Sequence, residues 1–297
     1  VRAYAVRAFD MYTQAHPQLA FSSMVDDVSS AVSGKTREHV VAQLHDAAAL
    51  LQTLYHEVLQ IGIAFDKVST TASDSTLAHM IVKDLKALGG IALGSVPNLG
   101  VDYRPGRRQL GSKHRERKAG MTRRGVKLAR MRNWIRQGKH RAFRLHTAGQ
   151  RPAATFGAAV NGFTDQQLLA CRRKVMRGQA PGDRGVSMTL RLVAFGDPLW
   201  REAVMPAMEW SRQVWHALTD PDHALCSIRE LIEAWNSSQP DHTRPWHATR
   251  GPMDRTAKSL ARVSWTVTSP AEWCNDLNQQ IHLGRHSPKM TSHMLQE

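Results

Sequence analysis

The sequence has no apolar run near the ~18 residues that a membrane-spanning helix needs, so no membrane partner is expected. No charged leader followed by an apolar stretch opens it, so no secretory signal is expected. It begins with Val rather than Met, which points to a processed chain or a fragment. Cysteine is scarce: Cys171, Cys226 and Cys274 lie far apart, form no C-x-x-C pair and are odd in number. That argues against a disulfide framework and against a zinc site, and fits a reducing compartment, nucleus or cytoplasm. P-loop, G-x-S-x-G and H-E-x-x-H motifs are missing, as are internal repeats. The tail histidines His242, His247, His282 and His286 fit no usual metal-ligand spacing.

Acid is lacking over one stretch. From Arg104 to Arg151 the sequence carries 17 Lys and Arg against the single acid Glu116, a net +16. The whole chain of 297 residues carries +15, so the rest is close to neutral. One basic block on a neutral body is the footprint of nucleic-acid binding; the plainer reading is a solvated linker or localisation signal.

Apolar spacing at Tyr4, Ala5, Ala8, Phe9 and Tyr12 predicts a helix closed by Pro17. "QLAFSSMV" and "VSSAV" flank Asp26 and Asp27 and read as a hairpin turning at the two acids. Thr36 is placed to cap a long amphipathic helix over 36–60, with Val40, Leu44, Ala47, Leu51, Leu54 and Val58 inward. "IAFDKVSTTA" reads as a strand. Ser73 or Asp74 caps a helix with Leu77, Met80, Ile81, Leu85 and Leu88 inward, stopped at Gly89-Gly90. "VPNLGVDY" reads as one more strand. The order matches β-α-β-β-α-β with its first, central strand absent, which implies a piece upstream. Beyond the basic block, helices are expected after Thr164, around Trp200, Trp210 and Trp215 with Pro206 kinking or dividing it, and over "TDPDHALCSIRELIEAWNSS". "SLARVSWTV" and "QQIHLGRHSP" are read as helical or as short strands.

Two carboxylates side by side repel unless a cation lies between them. Mg²⁺, or Mn²⁺ in its place, accepts a few carboxylates together with substrate phosphate oxygens. Two such ions can clamp both oxygens of an in-line displacement. Asp is also a common turn residue, and a solvated pair needs no metal.

In context the stretch "MVDD" resembles the x-A/V-D-D box of reverse transcriptases, with Met24 where the family usually has an aromatic residue. "IGIAFDKVSTTAS" resembles the following G-(L/I)-x-x-x-x-K-(T/S) motif, with Lys67 and Ser69 near its basic and hydroxyl positions. "PNLGVDY" is similar to the L-G motif of the primer grip. "RPAATFGAAVNG" and "WHATRGPMDRTAKSLARVSW" are similar to post-thumb segments of retrotransposon-encoded enzymes. The resemblance covers roughly 1–215 well and the tail loosely.

The resemblance implies an α+β fold: a partial ferredoxin-like polymerase palm over 1–105, a basic helical thumb and connection over 106–215, and a mainly helical or irregular region over 216–297. Asp26 is then the firmer metal ligand, Asp27 a supporting acid, and Lys67 a charge stabiliser or proton donor at the incoming triphosphate. Leu99 and Gly100 hold the primer end. Arg123, Arg124, Lys127, Arg130, Arg132, Arg136, Lys139, Arg141 and Arg144 track the duplex backbone, and Trp134 offers a stacking surface. The partners implied are an RNA template, a DNA primer and deoxynucleotide triphosphates. The family's third acid and its fingers precede the helix with which this chain begins, and Asp10, on that helix, is a poor substitute. The chain alone is therefore expected to be inactive, and its completed parent to be an RNA-directed DNA polymerase. A non-catalytic nucleic-acid-binding remnant is the alternative, and a helical scaffold with a basic localisation patch a third.

Overall fold

A computed structural model describes residues 2–24, 27–85, 90–94, 96–98, 101–103, 116–117, 119–120, 123, 151–179, 187–195, 197–222 and 224–296. The fold is mixed α+β, mainly helical, with sheets of two or three strands among the described residues. It divides into two units, Val1–Gly106 and Arg107–Glu297.

In the first unit, α1 (Arg2–Ala15) buries Ala5, Ala8 and Tyr12, three and four residues apart. Strands β1 (Ala20–Met24) and β2 (Asp27–Ala31) pair antiparallel, from Ala20 opposite Ala31 to Met24 opposite Asp27. Phe21 of β1 packs its ring against Phe9 and Tyr12, with centroids 5.2 and 4.9 Å away. The Tyr12 hydroxyl meets that of Ser30 at 2.9 Å and ties helix to hairpin. Helix α2 (Arg37–Thr53) is capped by Thr36, whose Oγ1 accepts the His39 amide at 3.3 Å.

The expected helix continues past Thr53, but Leu54–Val58 widens to a π turn, with the Leu59 amide donating to the Leu54 carbonyl at 2.9 Å. The extra residue shifts the inward face by one position, so Leu59 is buried and Val58, expected inward, is exposed.

Only Ser69–Thr70 of the expected strand over 63–72 is extended (β3); before it, Phe65–Lys67 closes a 3₁₀ turn. Helix α3 (Ser75–Asp84) starts on Asp74, whose Oδ1 accepts the Leu77 amide at 2.9 Å, and buries Leu77 and Ile81 against Val40 of α2. Strand β4 (Ile91–Ala92) returns parallel to β3. Gly90 enters it at φ +142°, with Val68 where a side chain would point. The expected single strand "VPNLGVDY" is instead an antiparallel pair, β5 (Val96–Asn98) and β6 (Val101–Tyr103), because Asn98 and Gly100 bring turn chemistry to its middle. The strands described in this unit thus form three separate pairs rather than one sheet.

The second unit is built on α8 (Trp200–Thr219). Before it come α4 (Arg151–Thr155), α5 (Ala158–Asn161), α6 (Asp165–Gln179) and α7 (Met188–Phe195). Thr164 caps α6 reciprocally: its Oγ1 accepts the Gln167 amide, and its own amide donates to Gln167 Oε1. Pro206 does not divide α8, which runs unbroken through it. That helix buries Val204, Ala207, Trp210, Val214 and Ala217. Against this stripe pack Trp235 of α9 (Ile228–Ser238), Leu260 of α10 (Pro252–Ala261) and Trp273 at the centre of a three-stranded antiparallel sheet. The sheet is β7 (Thr266–Ser269), β8 (Glu272–Cys274) and β9 (Gln280–His282), and α11 (Pro288–Met294) follows. "SLARVSWTV" thus spans a helix end and a strand start, and "QQIHLGRHSP" supplies β9. Among the described residues no helix is long and apolar enough to cross a membrane.

Candidate functional site

The β1–β2 hairpin is the element on which the acidic pair falls. Its strands are short and rich in serine, with the Ser22 and Ser29 hydroxyls 2.7 Å apart across the ladder. Asp27 opens β2 as the partner of Met24, which leaves only positions 25 and 26 between the strands. Of the two acids expected in the turn, Asp27 belongs instead to the ladder. Asp26 and the side chain of Asp27 lie outside the described residues.

Lys67 ends the 3₁₀ turn before β3, its amide donating to the Ala64 carbonyl at 2.9 Å, and its side chain is exposed. Leu99 and Gly100, between β5 and β6, lie outside the described residues. Of the basic candidates, Arg123 is helical and exposed. Arg124, Lys127, Arg130, Arg132, Trp134, Arg136, Lys139, Arg141 and Arg144 lie outside the described residues. Among the described residues, which do not include the side chains of the acidic pair, no group of three or more His, Cys, Asp or Glu could hold a metal ion.

Near the basic run the second unit holds two anchors that sequence spacing did not reveal. Arg151 meets the buried Glu202 bidentately, with Nη2 donating to Oε2 at 2.7 Å. The bond to that carboxylate holds the guanidinium pKa above its usual value. Arg117 donates from Nη1 to the Phe156 carbonyl at 2.9 Å and lays its guanidinium 4.9 Å from the centre of the Phe156 ring.

Three further charged groups hold the unit together. Arg262 donates to Asp165, to the Phe163 and Ala203 carbonyls, and stacks on Trp246 at 4.2 Å. Burial lowers its pKa. Asp254, 1% exposed, accepts the Asp241 and Arg250 amides and the Arg244 guanidinium. Arg255 donates to the Val160 carbonyl and to Asn161 Oδ1, and burial pushes its pKa down to about 10. In the tail, His282 Nδ1 lies 3.0 Å from Glu272 Oε1 across the β8–β9 ladder. No protein-family model matches the chain, and no match is found among curated proteins or solved structures.

Proposed function

We propose that the chain is a reverse-transcriptase-like palm segment followed by a basic nucleic-acid-binding region. The observation that supports the reading is the register of the β1–β2 hairpin, which pairs Asp27, the second of the two adjacent acids in the sequence, with Met24 at the end of a short two-stranded ribbon. In this reading α2 and α3, packed on each other through Val40, Leu77 and Ile81, are the helices behind a divergent ferredoxin-like palm.

Adjacent carboxylates offer only hard oxygen donors, which suit Mg²⁺ or Mn²⁺. Asp26 is the principal ligand and Asp27 the supporting one. An ion held there supplies positive charge to the attacking and leaving oxygens of an in-line displacement on a deoxynucleotide triphosphate. Lys67, exposed on its turn, offsets charge on that triphosphate. Leu99 and Gly100 hold the DNA primer end. The Lys and Arg between Arg123 and Arg144 neutralise the phosphates of primer and RNA template. A non-catalytic nucleic-acid-binding remnant is the second reading; the same segregated charge supports it and it needs no metal.

Two measurements test this. Affinity for an RNA–DNA duplex should fall steeply with salt, with a log–log slope of several units; an affinity indifferent to salt sinks both readings. Mn²⁺ titration followed by electron paramagnetic resonance should show binding by the parent chain that Asp26→Asn removes. Equal binding by both proteins rules out the metal assignment and leaves the second reading.

A further inference from the structure

Arg255 is a buried cation whose hydrogen bonds, among the described residues, all go to neutral oxygen. It is 8% exposed, and its Nη1 donates to the Val160 carbonyl at 2.9 Å and to Asn161 Oδ1 at 3.0 Å. Its Nε is buried and has no partner among the described residues. The adjacent carboxylate, Asp254, is taken up by the Asp241 and Arg250 amides and by Arg244. A guanidinium drawn out of water gains most from a carboxylate, and here an amide oxygen stands in that place. That amide belongs to Asn161, and Gly162 follows it, the one Asn-Gly pair in the sequence. Asparagine is thermolabile, and before glycine no side chain shields its Cγ from the next backbone nitrogen. The fold closes this route. The Gly162 amide donates to the Ala158 carbonyl at 2.8 Å while Arg255 holds Asn161 Oδ1, so both reacting groups are bonded as long as α5 and α10 stay packed.

We propose that Asn161 is a modification site, where hydrolysis of its side-chain amide to a carboxylate supplies the counter-ion that Arg255 lacks. The inference is independent of the nucleic-acid reading. When α5 opens, the Gly162 nitrogen gives up its proton and bonds to Asn161 Cγ, and the side-chain nitrogen leaves as ammonia. Water then cleaves the new Cγ–N bond, which restores the Gly162 amide and leaves a carboxylate at Cγ. The net change consumes one water and releases one ammonium ion. On reclosure the carboxylate takes the place of Oδ1, 3.0 Å from Arg255 Nη1. Asn161 is half-buried, so the new charge keeps part of its hydration while it compensates a guanidinium whose desolvation the fold already bears. Loss of ammonia makes the step one-way, so it tightens the seam between α5 and α10 as the chain ages.

The experiment is thermal unfolding of the full chain, followed by tryptophan emission, for the parent and Asn161→Asp. Asn161→Asp should raise Tm by about 3 °C, the shift expected of a charge-assisted bond in place of a neutral one in a unit of this size. An unchanged or lower Tm overturns the inference. In an Arg255→Met background, which removes the cation, Asn161→Asp should give no rise, and a rise of the same size there also overturns it. If that background does not fold, the single variant decides. Peptide mass mapping after incubation in mildly alkaline buffer reads the chemistry itself. Conversion at Asn161 should be at least about tenfold slower in the folded parent than in urea, since it waits on local opening. Equal rates in both overturn the closure by Ala158 and Arg255, and no conversion in urea removes Asn161 as a site.

Discussion

Arg262 joins four pieces of the second unit, and Arg262→Met tests whether that junction is needed. The substitution keeps an unbranched apolar stem against Trp246 and removes the guanidinium. Lost are the charge-assisted bonds to the Phe163 and Ala203 carbonyls, worth about 1.5 kcal/mol each. The stack on Trp246 is worth about 1 kcal/mol more. The ion pair with Asp165 adds little, because that carboxylate is 72% exposed and rehydrates. Relief of the buried charge works the other way, so the net loss is about 2–3 kcal/mol. For a unit of this size that lowers Tm by about 5–10 °C. All eight tryptophans lie at position 134 or later, so tryptophan emission during heating reports the second unit alone. A shift under about 2 °C, or a rise, refutes the reasoning. Arg262→Lys should rescue little, because an ammonium does not reproduce the guanidinium fork.

Arg151→Ala strips the buried Glu202 of its bidentate partner and should cost about 3 kcal/mol in urea unfolding followed by tryptophan emission, and a near-neutral result rejects the buried pair. Gly162→Ala should destabilise by about 2 kcal/mol in the same assay, since φ +60° with ψ −177° is a glycine conformation and its Cβ would meet the Trp246 ring at 3.0 Å; unchanged stability contradicts this packing. All four tyrosines lie in the first unit, and burial raises the Tyr12 pKa above 10.0. A folded value above the unfolded one means that the stability from neutral Tyr12 is complete below about pH 10 and is lost as pH rises through the folded value. Tyrosinate absorbance should therefore show one late step that Tyr12→Phe removes, whereas four tyrosines titrating together would exclude the burial.

Local chemistry was legible along the chain. Thr36, Asp74 and Thr164 cap their helices as expected, because a cap needs only a side-chain oxygen and an amide three residues on. The inward stripe of α1 followed from its apolar spacing, since Ala5, Ala8 and Tyr12 share one face whatever packs there. The candidate acids and the basic run were likewise visible in the order of residues, although the ladder takes in Asp27.

By itself the sequence determined what depends on neighbours three or four positions apart: helix starts, amphipathic faces, the turn-forming dipeptides and the separation of charge into one basic run. Tertiary structure alone decided what depends on distant partners. The burial of Leu59 in place of Val58 and the parallel pairing of β3 with β4 each follow from packing rather than propensity. So do the hydrogen-bond partners of Arg117, Arg151 and Arg262, which lie 39 to 99 positions away. A charge that pairs across such a distance leaves no period in the sequence, because only the folded core brings its partner within reach and removes the water that would otherwise satisfy it.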